Sequence, residues 1–332
     1  MSLRAVALTS ALVLGGATAS WGAPAARVEL TFTDPEIVES SGLVASDDLV
    51  VTVNDSGDSG RVFVVDRASG DTVGVTSWAD DPVDVEALAP AVQDGEVWVA
   101  DIGDNDRVRE SVSVRRVPVG RGDRSTDAVS YELVYPDGPQ DAETLMVHPQ
   151  TGRLVVVTKG LFGGRVLVAP KRLDPDRPNR LRLVGSARAL ATDGAFWPDG
   201  RHVVVRGYGT ATVYTWPGLE TVARLDLPEQ QQGEGIAVGT DGVVLVSSEG
   251  AGSDVLRVRL PGVVRRAVAP PPEPTSSPSP SPGTPAGSDP SEGTQADTYE
   301  AASARSAWPF VVGGVVGLVG LLVLVRSLRP RG

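Results

Sequence analysis

The chain of 332 residues contains no cysteine. No disulfide is open to it, so any folded part lying outside a cell must be held by its core alone. Lysine is almost as scarce. Only Lys159 and Lys171 occur, and the other basic side chains are arginines, a bias of composition rather than of function. Histidine occurs twice, as His148 and His202. With no thiolate and two imidazoles, metal chemistry falls to oxygen ligands, which favour Ca²⁺ over zinc or copper. There is no H-E-x-x-H pair, no P-loop and no dinucleotide fingerprint. There is no G-x-S-x-G either, and a serine hydrolase needs a nucleophile, a base and an orienting group. The balance of 42 acidic against 30 basic residues argues against nucleic acid as a partner.

What is present begins with two unusual ends. Residues 1–25, MSLRAVALTSALVLGGATASWGAPA, combine an early Arg4, a short apolar run and the small-residue pattern Ala23-Pro24-Ala25. That is the pattern of a secretory signal peptide cleaved near Ala25. Residues 308–325, WPFVVGGVVGLVGLLVLV, are just long enough to span a bilayer, and Arg326, Arg329 and Arg331 follow in a short tail, 326–332. The arginines place that tail in the cytoplasm and the body of the chain outside. Residues 269–307 are rich in Pro, Ser, Thr and Gly. They cannot bury a core and read as a disordered stalk in the cell envelope. The remaining segment, 26–268, is ample for one domain.

That body is one repeat written five times. Each copy holds a polar word, an apolar strand, a turn, a second apolar strand and a second polar word. The copies are ESSGLVASDDLVVTVNDSG from Glu39, VEALAPAVQDGEVWVADIGD from Val85, AETLMVHPQTGRLVVVTKG from Ala142, TDGAFWPDGRHVVVRGYG from Thr192 and GEGIAVGTDGVVLVSSEG from Gly233. Two further β-like runs follow each copy, except that the fifth supplies only DVLRVRL. An orphan run, RVELTFT from Arg27, precedes the first. The arithmetic gives the orphan to the last repeat. The prediction is an all-β propeller of five four-stranded blades, closed by the N-terminal strand so that no sheet edge is exposed. Six blades are the alternative, with strands hidden near residues 103–125 and 171–190.

In a propeller the first strand of each blade lines the channel and the second runs back beside it. Glu39 and Asn54, Glu86 and Asp101, Glu143 and Thr158, and Glu234 and Glu249 are each 15 residues apart, and Asp193 and Tyr208 are the fourth pair. The spacing gathers these words at one mouth of the channel. Glu39, Glu86, Glu143, Asp193 and Glu234 are the candidate metal ligands. Asn54, Asp55, Asp101, Asp104, Lys159, Arg206, Tyr208 and Glu249 are the candidate ligand-binding residues. Asp84 and Asp141 belong to the same ring, in which Lys159 and Arg206 are the cations. Crowded carboxylates must protonate, pair with a cation or bind a metal. The two readings are a Ca²⁺ site and a structural clasp in which each acid accepts backbone N–H groups. Both histidines adjoin turns at the opposite face and are poorly placed as bases for this mouth.

The words ESSGL, NDSGD, DIGDN, DAETLMVHP, ATDGAF, QGEGIAV and SEG resemble those of secreted actinobacterial β-propeller proteins labelled WD40-like or NHL-like. The resemblance covers roughly residues 36–261 and extends distantly to phytase-like and lactonase-like propellers. Those relatives have six blades and hold Ca²⁺ with acidic residues at the channel mouth. No WD dipeptide ends a blade here. The expectation is an extracellular, membrane-tethered binding or scaffold domain whose partner is a small molecule, a glycan or a protein. The alternative is a Ca²⁺-dependent hydrolase, lactonase-like or phosphoesterase-like, working at the same mouth.

Overall fold

A computed structural model of the protein describes residues 26–269 except Ala189. The signal peptide, the stalk beyond residue 269, the spanning segment 308–325 and the tail 326–332 lie outside the described residues. No described helix is long and apolar enough to cross a membrane.

Valine-rich runs dominate, and β-branched side chains suit a pleated, half-buried surface. They form five sheets. Strand β1 (Ala26–Thr31) comes first in the chain. Blade one is β2 (Ser40–Ala45), β3 (Leu49–Asn54), β4 (Arg61–Asp66) and β5 (Thr72–Ser77). Blade two is β6 (Val85–Pro90), β7 (Glu96–Asp101), β8 (Val112–Pro118) and, after the two-residue β9 (Arg124–Ser125), β10 (Ser130–Val134). Blade three is β11 (Ala142–Val147), β12 (Leu154–Thr158), β13 (Gly164–Val168) and, after β14 (Asn179–Arg180), β15 (Arg182–Ala187). Blade four is β16 (Asp193–Phe196), β17 (His202–Arg206), β18 (Thr210–Thr215) and β19 (Thr221–Asp226). Blade five is β20 (Gly233–Val238), β21 (Val244–Ser248), β22 (Asp254–Val258) and β1. The five-bladed prediction and its closure by the N-terminal strand both hold.

The core lies between blades rather than at one centre. Met146, Val155, Val157 and Val166 of blade three pack on Phe196, Val203, Val205 and Tyr214 of blade four. The other blade pairs repeat the arrangement. Inner strands are therefore buried on both faces, as the four buried residues Val62–Val65 of β4 show. The outer strand β15 keeps only Ala187 fully buried.

Closure is latched by one carboxylate. Glu29 on β1 accepts from Arg257 of β22 at 2.7 and 2.8 Å and from Arg67, just after β4 of blade one, at 2.8 Å. The Arg257 hydrogen bonds, with Arg67 beside them, outweigh burial and hold Glu29 down at about 2. The segments in which a sixth blade would have hidden its strands hold β8 and β15 of the five blades and, besides them, two short straps. Strand β9 pairs in parallel with β5, and β14 with β10. Each covers the outer edge of the preceding blade, which would otherwise offer unpaired backbone groups. A short helix that the repeat pattern does not show, α1 (Gly262–Ala267), seats Val264 against the core of blades four and five.

Five blades leave a narrow waist. A Cβ on Gly42 of β2 would lie 2.3 Å from the backbone nitrogen of Leu88 in β6. Only glycine lets adjacent first strands approach so closely. The channel is thereby divided into two ends of opposite character.

Candidate cation-binding mouth

In four blades the first strand carries an irregularity at its start. Ser40 pairs with Asn54 but Gly42 with Val53, so Ser41 is an extra residue. Glu86 is extra between Val85 and Ala87, and Glu143 between Ala142 and Thr144. In blade five the slip falls between Gly233 and Ile236, the stretch that holds Glu234. A bulge of this kind re-aims a side chain out of the pleat. Blade four has no bulge: Asp193 pairs in register with Arg206.

The bulges reset the alignment. Asp55 N–H donates to the Glu39 carbonyl, Gly103 to Asp84, Lys159 to Asp141 and Glu249 to Gln232, at 2.9–3.1 Å. Glu39 is thus equivalent to Asp84 and Asp141, while Glu86, Glu143 and Glu234 are equivalent to Ser41. Glu39 is exposed, two residues outside the position of the other glutamates. The second strands end at Asn54, Asp101, Thr158, Arg206 and Ser248. Glu249 is one residue beyond that level, beside Asp55 and Lys159, and Tyr208 two beyond.

Several of these side chains act as clasps. Asn54 Oδ1 accepts from the N–H groups of Val38 and Glu39, both at 3.1 Å. Asp101 does the same for Val83 and Asp84 and pairs with Arg109 at 2.8 Å. Asp104 accepts from Val108 and Arg109 N–H. Asp193 crosses between blades, accepting from Gly194 N–H at 2.7 Å and Ile236 N–H at 2.8 Å. Arg206 is fully buried and donates to the carbonyls of Gly235 and Ser247. Burial lowers its pKa to about 10, against the attraction of Glu234 and Asp193. These side chains tie blades four and five together under the mouth.

The remaining acids converge. Asp55, Asp84 and Glu86 each bring a carboxylate oxygen within 4.8 Å of the others, and so do Glu86, Asp141 and Glu143. Glu86 belongs to both groups. It is buried, and its one protein donor among the described residues is Ser41 Oγ at 3.5 Å. Burial, with the charges of Glu143 and Asp55, pushes Glu86 up to about 10, and burial with Asp55 raises Asp84 to about 6. Gly103 makes room for this packing, since a Cβ there would meet Asp84 at 2.3 Å and Glu86 at 2.7 Å. Lys159 pairs with Glu143 and sits 5.5 Å from the Tyr208 ring centroid. Burial works against the Lys159 ammonium, but the Glu143 carboxylate overrides it and keeps the ammonium charged. Glu249 accepts from Gln232 at 2.6 Å and is raised to about 7, by burial and then by Glu234 and Asp55.

Of the predicted metal ligands, Glu86 and Glu143 fall in these groups, with Asp55 from the predicted ligand-binding set. Glu39, Asp193 and Glu234 do not. Asp84 and Asp141 join them; they stand two residues before a bulged glutamate, in the words DVE and DAE, and that spacing is the signal that finds them. Around the mouth, Val83, Val108, Leu161 and Phe162 are exposed apolar side chains.

No protein-family model matches this sequence and no curated protein matches it, so the resemblance to secreted propellers rests on the repeat words alone. Among solved structures the chain is similar to two described as glucose dehydrogenase. Their TM-scores are 0.44 and 0.43 and their identities 10% and 11%, and each match covers 72% of this chain and 100% of the other. A likeness at that level transfers no residue, cofactor or substrate.

Proposed function

We propose that the protein is a binding domain whose acidic mouth takes a hard divalent cation, Ca²⁺, and presents it to an extracellular ligand. The observation that carries this reading is Glu86, a buried carboxylate shared by two triads and without an ion-pair partner among the described residues. The donor set fits the ion. Ca²⁺ accepts oxygen ligands at about 2.3–2.6 Å, so oxygens on opposite sides of it stand roughly 5 Å apart, and the triads fall within 4.8 Å. Asp55, Asp84 and Glu86 would form the first group of ligands, with Asp141 and Glu143 next to them. The exposed Leu161 and Phe162 beside Lys159 supply an apolar rim for the ligand. The signal peptide, stalk and spanning segment read from the sequence would hold this face outside the cell membrane. Protease added to intact cells should then remove the propeller and leave a small membrane fragment; a protected propeller reverses the orientation.

The test of the site is a melting curve. Chelator should lower the midpoint, added Ca²⁺ should restore it, and Glu86→Gln should abolish the response. No response in the unaltered protein refutes the reading. A Ca²⁺-dependent hydrolase is the second reading, favoured by Glu249, which lies outside both triads and at about 7 is suited to act as a base near neutral pH. It requires Ca²⁺-dependent lactone or phosphoester turnover that Glu249→Gln removes.

A further inference from the structure

Beyond the waist, the channel opens on the opposite face into a cavity of about 420 Å³. All five blades contribute to its wall, through Leu43, Leu88, Met146, Ala195 and Ala237 among others. The walls are apolar because these positions sit at the far ends of the first strands, past the bulges. The volume falls in the range of small-molecule sites, roughly 300–1,000 Å³, which are lined mainly by apolar side chains with a few polar groups. The charged groups here have one sign. Asp94 and Glu96 stand among the lining residues, and no lysine, arginine or histidine does. Glu96 is paired with Arg116 at 3.2 Å, whereas Asp94 is exposed and has no ion-pair partner among the described residues.

We propose that this cavity binds a compact apolar molecule carrying an ammonium group. The apolar body fills the space between the five first strands and the ammonium faces Asp94 at the rim. The charge pattern decides the class. A carboxylate-headed ligand, such as a fatty acid, would meet only like charge, and an uncharged one would leave Asp94 unused. The site is separate from the acidic mouth and does not depend on the reading of that mouth.

The test uses three probes of one shape: 2-naphthylmethylamine, 2-naphthylmethanol and 2-naphthoate, titrated into the propeller by calorimetry near neutral pH. The amine should bind tightest and the carboxylate about tenfold or more weaker, the ratio expected from a modest charge–charge energy near a protein surface. Ala91→Trp and Ala195→Phe should each fill the cavity and remove binding of the amine and the alcohol. Both positions are only partly buried, but Ala91 lies in the turn after β6 whereas Ala195 lies within β16, so the Ala91 variant should fold even where Ala195→Phe does not. Asp94→Asn should erase the preference for amine over alcohol and leave the alcohol unchanged. The proposal fails if no probe saturates the unaltered protein, or if the carboxylate binds as well as the amine. It fails also if Glu86→Gln, rather than Ala91→Trp, removes amine binding, because the amine then sits at the acidic mouth. A dimer seen in sedimentation and abolished by Ala91→Trp would make a second copy the occupant and overturn it too.

Discussion

The two ends of the channel are built from the same five strands, yet one is crowded with carboxylates and the other is apolar. The difference comes from where four of the five strands are irregular. At its start the first strand bulges and turns Glu86 or Glu143 out of the pleat. Two residues later the regular alternation resumes, and the far end packs against neighbouring blades. One end therefore carries unfavourable electrostatics that a ligand can relieve, and the other supplies the packing that tolerates it. Functional groups held at a cost to stability are a common feature of binding sites.

The comparison breaks most severely where a clasp under the acidic mouth is removed. Arg206→Gln removes a buried guanidinium that donates to the Gly235 and Ser247 carbonyls and should cost about 3–5 kcal/mol in urea denaturation, because two buried acceptors lose their donors. A loss below about 1 kcal/mol would mean that these carbonyls find other donors. At the apolar end, Phe196→Ala removes a ring that packs on Trp216 at 5.3 Å and on His148 at 5.2 Å. It should cost about 3 kcal/mol or somewhat more. Glu29→Gln, which loosens the closing strand, should cost about 1.5–3 kcal/mol at neutral pH. Its effect has a defined window. The folded pKa is depressed, so the contribution of Glu29 is present above its unfolded value near 4.5 and is lost as pH falls toward 2. The variant and the parent should therefore converge in acid.

The acidic mouth has the opposite sign. Glu86 and Asp84 are raised, so between about pH 4.5 and 10 the folded state holds a proton on Glu86 that the unfolded chain releases. Stability without metal should fall as pH rises across that interval, and Glu86→Gln should flatten the slope. A metal-free protein equally stable at pH 5 and pH 8 would show that the crowding is relieved in some other way.

The blades were legible in the sequence because the strands carry alternating or continuous apolar runs and four of the five turns between first and second strands carry an Asp-Gly or Gln-Thr-Gly signal. Even the closing strand followed from counting. The site was legible only in outline. Counting 15 residues from Glu39 reaches Asn54, but the turns between first and second strands differ in length: four residues separate the paired Ala45 and Val50, six Pro90 and Val97, and five Val238 and Val244. A fixed count therefore aligns Glu39 with Glu86 when its equivalent is Asp84, and puts Glu249 at the level of Asn54, where Ser248 stands. The straps β9 and β14 were invisible as straps, since a two-residue strand has no periodicity of its own. Helix α1 follows a proline and offers a single buried residue, Val264.

The most direct test of the central claim is a Ca²⁺ titration by calorimetry at pH 7.5 in two buffers of different ionisation enthalpy. If a cation takes the place of the proton on Glu86, binding should saturate and release roughly one proton or more. Glu86→Gln should lose both the binding and the release. No saturable heat, or binding that Glu86→Gln leaves intact without proton release, would contradict a cation site centred on Glu86.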